Sequence, residues 1–136
     1  MPNTYQLVYL SRLDDGVSPA CLAEIVRTAR QRNLARQINS LLIFDGLRIC
    51  QIIEGEQAAV CDLAERIRSD GRHTAFRVLH QAESTEQGLF ARSSLDYALS
   101  YDDSLGRLKA TYGSDTLASL FQLLPGLDRE PADSPL

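Results

Sequence analysis

Residues 38–54, Ile-Asn-Ser-Leu-Leu-Ile-Phe-Asp-Gly-Leu-Arg-Ile-Cys-Gln-Ile-Ile-Glu, decide the fold. Two apolar runs flank Asp45-Gly46, and an Asp-Gly pair in that setting is the strongest short-range signal for a β-hairpin. We therefore predict strands over 38–45 and 47–54.

The second hairpin strand carries a polar residue on its apolar face. Side chains alternate between the two faces of a strand. One face of 47–54 reads Leu47, Ile49, Gln51 and Ile53. Gln51 therefore points into a buried layer, where its amide needs polar partners, since an unpaired buried polar group costs about 1–3 kcal/mol.

The segments outside the hairpin alternate between strand and helix patterns. Ser18-Pro19 is typical of a helix start, with Ser as the N-cap and Pro at the first helical position. The remaining periodicity predicts strands over 5–11, 75–82 and within 89–98, and helices over 19–32 and 57–69. This order, β-α-β-β-α-β with one further strand, predicts an α+β fold of the ferredoxin-like type, with both helices on one face of a mostly antiparallel sheet. Short helices over 104–112 and 115–124 would cover the other face.

Composition excludes several classes of protein. The 136 residues carry 14 Lys plus Arg against 18 Asp plus Glu, a net charge of −4, which argues against nucleic-acid binding and against a polybasic membrane anchor. No signal peptide or membrane span is visible. The three cysteines form no CxxC pair, which favours a reducing compartment, and we expect a cytoplasmic protein. Two histidines without HExxH predict no metal site.

Two further polar residues can reach the layer that Gln51 enters. Tyr9 shares a face of the first strand with apolar residues, and Asn33 stands where the first helix should end. Converging polar groups between two helices and a sheet would suit a flat ligand with a polar edge. Each residue also has an ordinary interpretation: Gln51 bonded to a backbone carbonyl, Tyr9 a core aromatic, and Asn33 a helix C-cap.

Four segments resemble the BLUF family of blue-light sensors that use FAD. The opening strand Leu7-Val8-Tyr9-Leu10-Ser11 is similar to the family's first strand. The others are Arg32-Asn33 with 37–42, Cys50-Gln51-Ile52-Ile53-Glu54-Gly55, and Ile67-Arg68-Ser69-Asp70-Gly71-Arg72-His73. Their order and spacing extend over about residues 5–95 and match the predicted order of strands and helices.

The resemblance implies a flavin between the two helices, FAD by family default, with FMN or riboflavin as alternatives. Asn33 would anchor the polar edge of the ring, and Gln51 and Tyr9 would form the photoactive pair. The cofactor-binding residues that it implies are Tyr9, Ile25, Asn33, Gln51, Ile67, Asp70, Arg72 and His73, the last three near the ribityl and phosphate groups.

The resemblance also implies a function. Light would drive an electron and a proton from Tyr9, Gln51 would rearrange its hydrogen bonds, and the C-terminal helices, a partner protein or a homo-oligomer would receive the change. We expect no enzymatic activity in a short, stand-alone sensor, and no nucleic-acid or membrane partner. Its expected parts are a flavin-binding domain (1–98), a helical cap (99–125) and a disordered tail (126–136).

An alternative is a degenerate member that has lost flavin and acts as an interaction module. Ala29, Asn39 and Ser40 replace residues usual in the family and favour that alternative, while Tyr9, Asn33 and Gln51 oppose it. Ser93 and Leu95 stand where the family carries Trp and Met. An acylphosphatase-like hydrolase of the same shape would need a phosphate-binding loop near Arg12, where two carboxylates would repel phosphate.

Overall fold

The computed structural model describes residues 4–18, 20–84 and 90–130. Its strands are β1 (Thr4–Leu13), β2 (Asn39–Phe44), β3 (Arg48–Gly55), β4 (His73–Ser84), β5 (Asp96–Leu99) and β6 (Asp128–Arg129). Its helices are α1 (Cys21–Ala35), α2 (Gln57–Arg68), α3 (Ser104–Leu108) and α4 (Ser114–Leu123), and a 3-10 turn follows at Leu124–Gly126. Within these ranges no helix is long and apolar enough to span a bilayer.

The hairpin that the sequence predicts is formed by β2 and β3. Leu42 pairs with Gln51 and Phe44 with Ile49 across it. The Asp45 amide donates to the Arg48 carbonyl at 3.2 Å, so the two residues at the tip are Gly46 and Leu47, one position later than predicted. Gly46 has φ 95°, a conformation that glycine adopts without steric cost, and this accounts for the Asp-Gly signal.

The six strands lie in the order β4-β1-β3-β2-β5-β6. All neighbours are antiparallel except β2 and β5. The first four strands and the two long helices give the ferredoxin-like α+β architecture, which confirms the predicted fold class. β1 and β3 are central, so a side chain on either can be enclosed from both sides.

The sheet separates two apolar layers. One layer joins α1 and α2 to one face of the sheet, through Leu7, Ile53, Val26 and Val60 among others. The other contains Leu105 and Leu108 of α3 and Leu120 of α4, packed on the opposite face. The short C-terminal helices therefore cover the second face, as the sequence predicts.

The predicted ends of several elements are wrong. α1 begins at Cys21 and ends at Ala35, so Asn33 lies inside the helix and the expected C-cap interpretation does not apply. The Ser18 hydroxyl accepts the Ala20 amide at 3.2 Å, and Pro19 lies outside the described residues. The last predicted strand is shorter than expected, because only 96–99 pair with β2.

The C-terminal residues up to 130 are ordered, contrary to the expected tail from 126. Asp128 and Arg129 pair with β5 as β6. Arg129 donates to the Phe90 carbonyl at 3.0 Å and to the Asp96 carboxylate at 3.3 Å, and Glu130 forms an ion pair with Arg30 of α1. These contacts hold β6 at the edge of the sheet, and residues 131–136 lie outside the described residues.

Candidate functional site

Tyr9 and Gln51 form a buried hydrogen-bonded pair at the centre of the sheet. They are direct cross-strand partners of β1 and β3, and the Tyr9 hydroxyl donates to Gln51 Oε1 at 2.7 Å. Both residues are at most 3% exposed. Burial raises the pKa of Tyr9, so the phenol stays protonated and acts as the donor. The bond takes the oxygen of the amide and leaves its NH₂ group for another acceptor.

Two irregularities in β4 place aromatic residues around Tyr9. The register between β1 and β4 shifts between Val8 and Tyr9 and again between Leu10 and Arg12. Such bulges re-aim side chains. Phe76 stacks on the Tyr9 ring, with centroids 4.7 Å apart and planes at 29°. The wall behind the phenol is therefore an aromatic ring from a neighbouring strand.

His73 stands at the edge of the same ring. Its centroid is 6.3 Å from that of Tyr9, and its Nδ1 lies 3.0 Å from the Ser11 hydroxyl. Burial lowers the pKa of His73, which favours the neutral imidazole at neutral pH. The imidazole ring on this side of Tyr9 is therefore uncharged at neutral pH, while the nearby Asp70 carboxylate adds to the effect of burial in raising the pKa of Tyr9.

Asn33 approaches the same space from the inner face of α1. It is 1% exposed, and its Nδ2 donates to the Ser94 carbonyl at 3.0 Å and to the Ser40 hydroxyl at 3.3 Å. Its Oδ1 is buried and has no hydrogen-bond partner among the residues that the structure describes. An unpaired buried acceptor is costly, so this oxygen marks a place where a ligand donor would bind.

A cavity of about 150 Å³ lies between α1, α2 and the sheet. All eight residues predicted for the site line this cavity: Tyr9, Ile25, Asn33, Gln51, Ile67, Asp70, Arg72 and His73. The structure therefore brings the predicted site together at one place. The binding role of each residue stays a prediction, developed below.

Charged groups line the mouth of the cavity, and two of them, Asp70 and Arg72, are paired with each other. Arg72 grips Asp70 with Nε at 3.0 Å from Oδ1 and Nη2 at 2.5 Å from Oδ2. The hydrogen bond from Arg72 lowers the pKa of Asp70 to about 2. Glu24 and Arg32 of α1 line the opposite side. A ligand group at the mouth would meet both signs of charge.

The residues that depart from the family pattern fit the cavity without blocking it. Ser40 is fully buried, and its hydroxyl donates to the Ser94 carbonyl at 2.8 Å. Ala29 lines the cavity, Asn39 is exposed on β2, and Leu95 contributes its side chain to the cavity wall. The Ser93 hydroxyl bonds Asp96 at 2.8 Å. Ser40, the polar residue of this group nearest the cavity, is thus a hydrogen-bond partner of Asn33.

Several residues around the site are not among those predicted from the sequence. Phe76 was placed on a strand, but the bulges that turn it onto Tyr9 leave no signal in the alternation pattern. Ser94 acts through its backbone carbonyl, which any residue could supply. Thr28 lies one turn from Ile25 on the same face of α1 and could have been found from helical spacing.

Comparison with known sequences matches this chain to parts of longer proteins, among them a cyclase subunit and an antirepressor. The chain is 36% identical over 81 residues to the photoactivated adenylate cyclase subunit beta of Euglena gracilis, a match that covers 60% of this chain and 9% of that protein. It is 24% identical over 144 aligned positions to the blue light- and temperature-regulated antirepressor BluF of Escherichia coli K12, covering 90% and 36%. The chain thus spans about a tenth of the length of the cyclase subunit and about a third of the antirepressor.

Comparison with solved structures gives matches that cover most of this chain. BlrB, described as a BLUF protein in its dark state, superposes with a TM-score of 0.75 at 27% identity and covers 90% of this chain and 95% of its own. BlsA in its photo-activated state gives a TM-score of 0.77 at 24% identity, covers 89% and 94%, and shows the shared fold. The sequence profile described as "BLUF: Sensors of blue-light using FAD" matches residues 4–96, most of the described chain, and the chain therefore belongs to the BLUF family.

Proposed function

We propose that this chain senses blue light through a flavin held non-covalently in the cavity between α1 and α2, with Tyr9 and Gln51 as its switch. The observation that carries the proposal is the 2.7 Å bond between these two buried side chains at the wall of the cavity. A buried phenol and amide in contact form a local hydrogen-bond element with two arrangements, which is what a switch requires.

The residues around the cavity fit a flavin ring. Oxidised flavin presents carbonyl oxygens and one N–H along its pyrimidine edge, and Asn33 Oδ1 is a buried acceptor with no donor among residues 4–18, 20–84 and 90–130. Ile25 and Ile67 supply apolar walls from the two helices. A cavity of about 150 Å³ holds roughly one six-membered ring. A three-ring system would therefore extend from the buried end toward the mouth.

Asp70, Arg72 and His73 are suited to the polar tail of such a ligand. They line the cavity beside Tyr9 and lie at the end of α2 and the start of β4. FAD is the proposed flavin, and FMN and riboflavin share the ring that the buried groups would bind.

A bound flavin supplies absorption of blue light and, once excited, a strong oxidant. Tyr9 is a buried phenol on this wall that could give up an electron, and its hydroxyl proton points to Gln51 Oε1. Were the electron and the proton both to leave Tyr9 for that oxidant, the proton by way of Gln51, the amide of Gln51 would no longer accept from a neutral phenol. Its hydrogen bonds must then be exchanged, which changes the donor and acceptor that the side chain presents to the cavity.

The sheet offers a path from Gln51 to the C-terminal helices. Cys50 and Ile52, the neighbours of Gln51 on β3, face the opposite layer and pack there with Leu105 and Leu108 of α3. Arg48 at the start of β3 also bonds Asp103, the residue before α3, at 3.1 Å. A shift of the β3 backbone would thus reach α3 directly.

Residues 1–98 would accordingly be the sensing unit and residues 99–125 the element that passes the change on, to a partner protein or to a second copy of the chain. We assign no enzymatic step to the chain. The free thiols of Cys21, Cys50 and Cys61 are compatible with a cytoplasmic location.

Absorption spectroscopy tests the proposal. The purified protein, or apoprotein mixed with FAD, FMN or riboflavin, should be yellow, and its flavin band should shift to the red under blue light and return in the dark. A folded protein that binds none of the three flavins would support the flavin-free interaction module instead. A protein that binds flavin and shows no reversible shift would overturn the switch and retain the binding site.

A further inference from the structure

Three polar groups meet beside the cavity in an arrangement that concerns Ser40. The Ser40 hydroxyl donates to the Ser94 carbonyl at 2.8 Å, and Asn33 Nδ2 donates to both, at 3.3 Å to the hydroxyl and 3.0 Å to the carbonyl. Ser40 is fully buried and Asn33 is 1% exposed. Three elements, α1, β2 and the segment before β5, therefore share one small polar cluster.

This cluster fixes which way the Asn33 amide faces. A backbone carbonyl can only accept, so the amide atom that lies 3.0 Å from Ser94 must be the nitrogen. The Ser40 hydroxyl gives its proton to the same carbonyl, so the lone pair of its oxygen is available to Asn33. Oδ1 is left on the other side, buried and without a partner in the described part of the chain.

The cluster also leaves one N–H of Asn33 available. The distances of 3.0, 3.3 and 2.8 Å among Nδ2, Ser94 O and Ser40 Oγ place the two acceptors roughly 50° apart as seen from Nδ2, far less than the ~120° between the two N–H bonds of an amide. The two N–H bonds of an amide diverge widely, and a single N–H is therefore shared between the two acceptors. One donor and one acceptor of Asn33 remain for a ligand.

Ser94 alone would hold the amide weakly. The terminal torsion of Asn, about its Cβ–Cγ bond, is broad, so a single contact leaves the amide plane free to turn over part of that range. Ser40 adds the second point that defines the plane. The Ser94 carbonyl is itself steadied, because Arg30, one turn before Asn33 on α1, donates to the next carbonyl, that of Leu95, at 2.9 Å.

We propose that Ser40 is a positioning residue that orients the Asn33 amide so that the cavity selects ligands with an N–H donor at their buried edge. This inference rests on the proposed flavin site. Ser40 would influence ligand recognition without touching the ligand. Its effect should depend on the N3–H group of the flavin ring, the donor that Asn33 Oδ1 would accept.

Binding of riboflavin and N3-methylriboflavin to the apoprotein tests this role. The two ligands differ at the one ring N–H, which methylation removes. We expect the parent protein to bind N3-methylriboflavin about 10- to 100-fold more weakly, because Oδ1 then stays unpaired. Ser40→Ala should weaken riboflavin binding about 5- to 10-fold and N3-methylriboflavin binding less than about twofold. The ratio of the two dissociation constants should therefore be smaller in Ser40→Ala than in the parent protein.

Ser93→Ala is the matched control. The Ser93 hydroxyl is also partly buried and hydrogen-bonded, at 2.8 Å to Asp96, and it does not bond Asn33. This variant should leave the ratio of the two dissociation constants unchanged. Equal weakening of both ligands by Ser40→Ala, or no weakening, would overturn the role of Ser40 while the flavin site stands. Failure of the folded parent to bind any of riboflavin, FMN and FAD would overturn the proposed function, and this inference with it.

A ligand-free measurement keeps the role of Ser40 open to refutation by itself. In ¹⁵N-labelled apoprotein, the side-chain amide signals of Asn33 should move in Ser40→Ala and stay in place in Ser93→Ala. A Ser40→Thr variant, which keeps the hydroxyl, should restore both the signals and the preference for riboflavin. Unmoved Asn33 signals in a folded Ser40→Ala protein would contradict the proposed contact.

Discussion

The phenol of Tyr9 satisfies a buried acceptor as well as serving the proposed switch. Without it, Gln51 Oε1 would lose its donor in a site that is at most 3% exposed. We therefore expect Tyr9→Phe to lower the free energy of unfolding of the apoprotein by about 1–2 kcal/mol, measured by urea denaturation.

The chain contains a matched control for this substitution. The Tyr5 hydroxyl donates to Gln81 Oε1 at 3.1 Å, likewise from β1 to a neighbouring strand, here β4, but at an exposed position. Water can replace that bond, so Tyr5→Phe should change stability by less than about 0.5 kcal/mol. Equal losses in the two variants would show that the Tyr9 bond has no special weight in the fold.

Glu54 is a buried acid on the face of β3 opposite the cavity. It is 4% exposed, and neither carboxylate oxygen has a hydrogen-bond partner in the part of the chain that the structure describes. Its cross-strand neighbours are Gln6 and Asn39, both uncharged. Burial raises the pKa of Glu54 above its usual value near 4.5.

The contribution of Glu54 to the stability of the protein should therefore fall as the pH rises above about 4.5. The folded state then holds a proton that the unfolded state has lost, so unfolding becomes easier with each further step in pH until Glu54 ionises in the fold. Glu54→Gln should flatten this decline in the free energy of unfolding above pH 4.5, while the exposed Glu65→Gln should not. Parallel stability curves for the parent and Glu54→Gln would contradict the assignment.

At the scale of elements, β6 depends on ionic contacts for its position. Its two residues are too few to hold it in the sheet by strand pairing alone. Arg129 bonds the Phe90 carbonyl and Asp96, and β6 pairs with β5 through only two register positions. We expect Arg129→Gln to loosen this edge of the sheet. Backbone amides of 96–99 and 128–130 should then exchange with deuterium about tenfold faster.

Arg66→Gln provides the comparison for that experiment. Arg66 lies in an exposed ion pair with Asp62, 3.5 Å apart within α2, and such pairs contribute little. Exchange across 96–99 and 128–130 should stay at the parent rate in this variant. An unchanged rate in Arg129→Gln as well would mean that β6 is held by its strand pairing alone.

The elements also differ in how far local sequence determined them. The alternation in 47–54 was enough to put Gln51 on the inner face, because a strand paired on both sides has a strict period of two. The ends of α1 were misplaced, since Asn33 is a common helix-ending residue and its contact with Ser94 joins positions far apart in the chain. The ordering of β6 depends on Arg30 and Asp96, which no pattern near residue 129 reveals.

At the scale of the whole molecule, the sheet places a polar pair between two apolar layers. Tyr9 and Gln51 face the layer of α1 and α2, while the alternate residues of β3 face α3 and α4. Family resemblance and strand alternation together predicted eight residues of the site, and all eight are among the seventeen described residues that line the cavity. The partners that orient them, Phe76 and the Ser94 carbonyl, depended on bulges and on an irregular segment.

The account's central claim is that the Gln51 amide, through its bond with Tyr9, converts light into a changed hydrogen-bond pattern. The light-minus-dark absorption spectrum of flavin-loaded Gln51→Leu, beside that of Gln81→Leu, tests it most directly. We expect Gln51→Leu to stay yellow and lose the reversible red shift, and Gln81→Leu to keep it, because the Tyr5–Gln81 bond lies outside the cavity. A normal, reversible red shift in Gln51→Leu would contradict the claim.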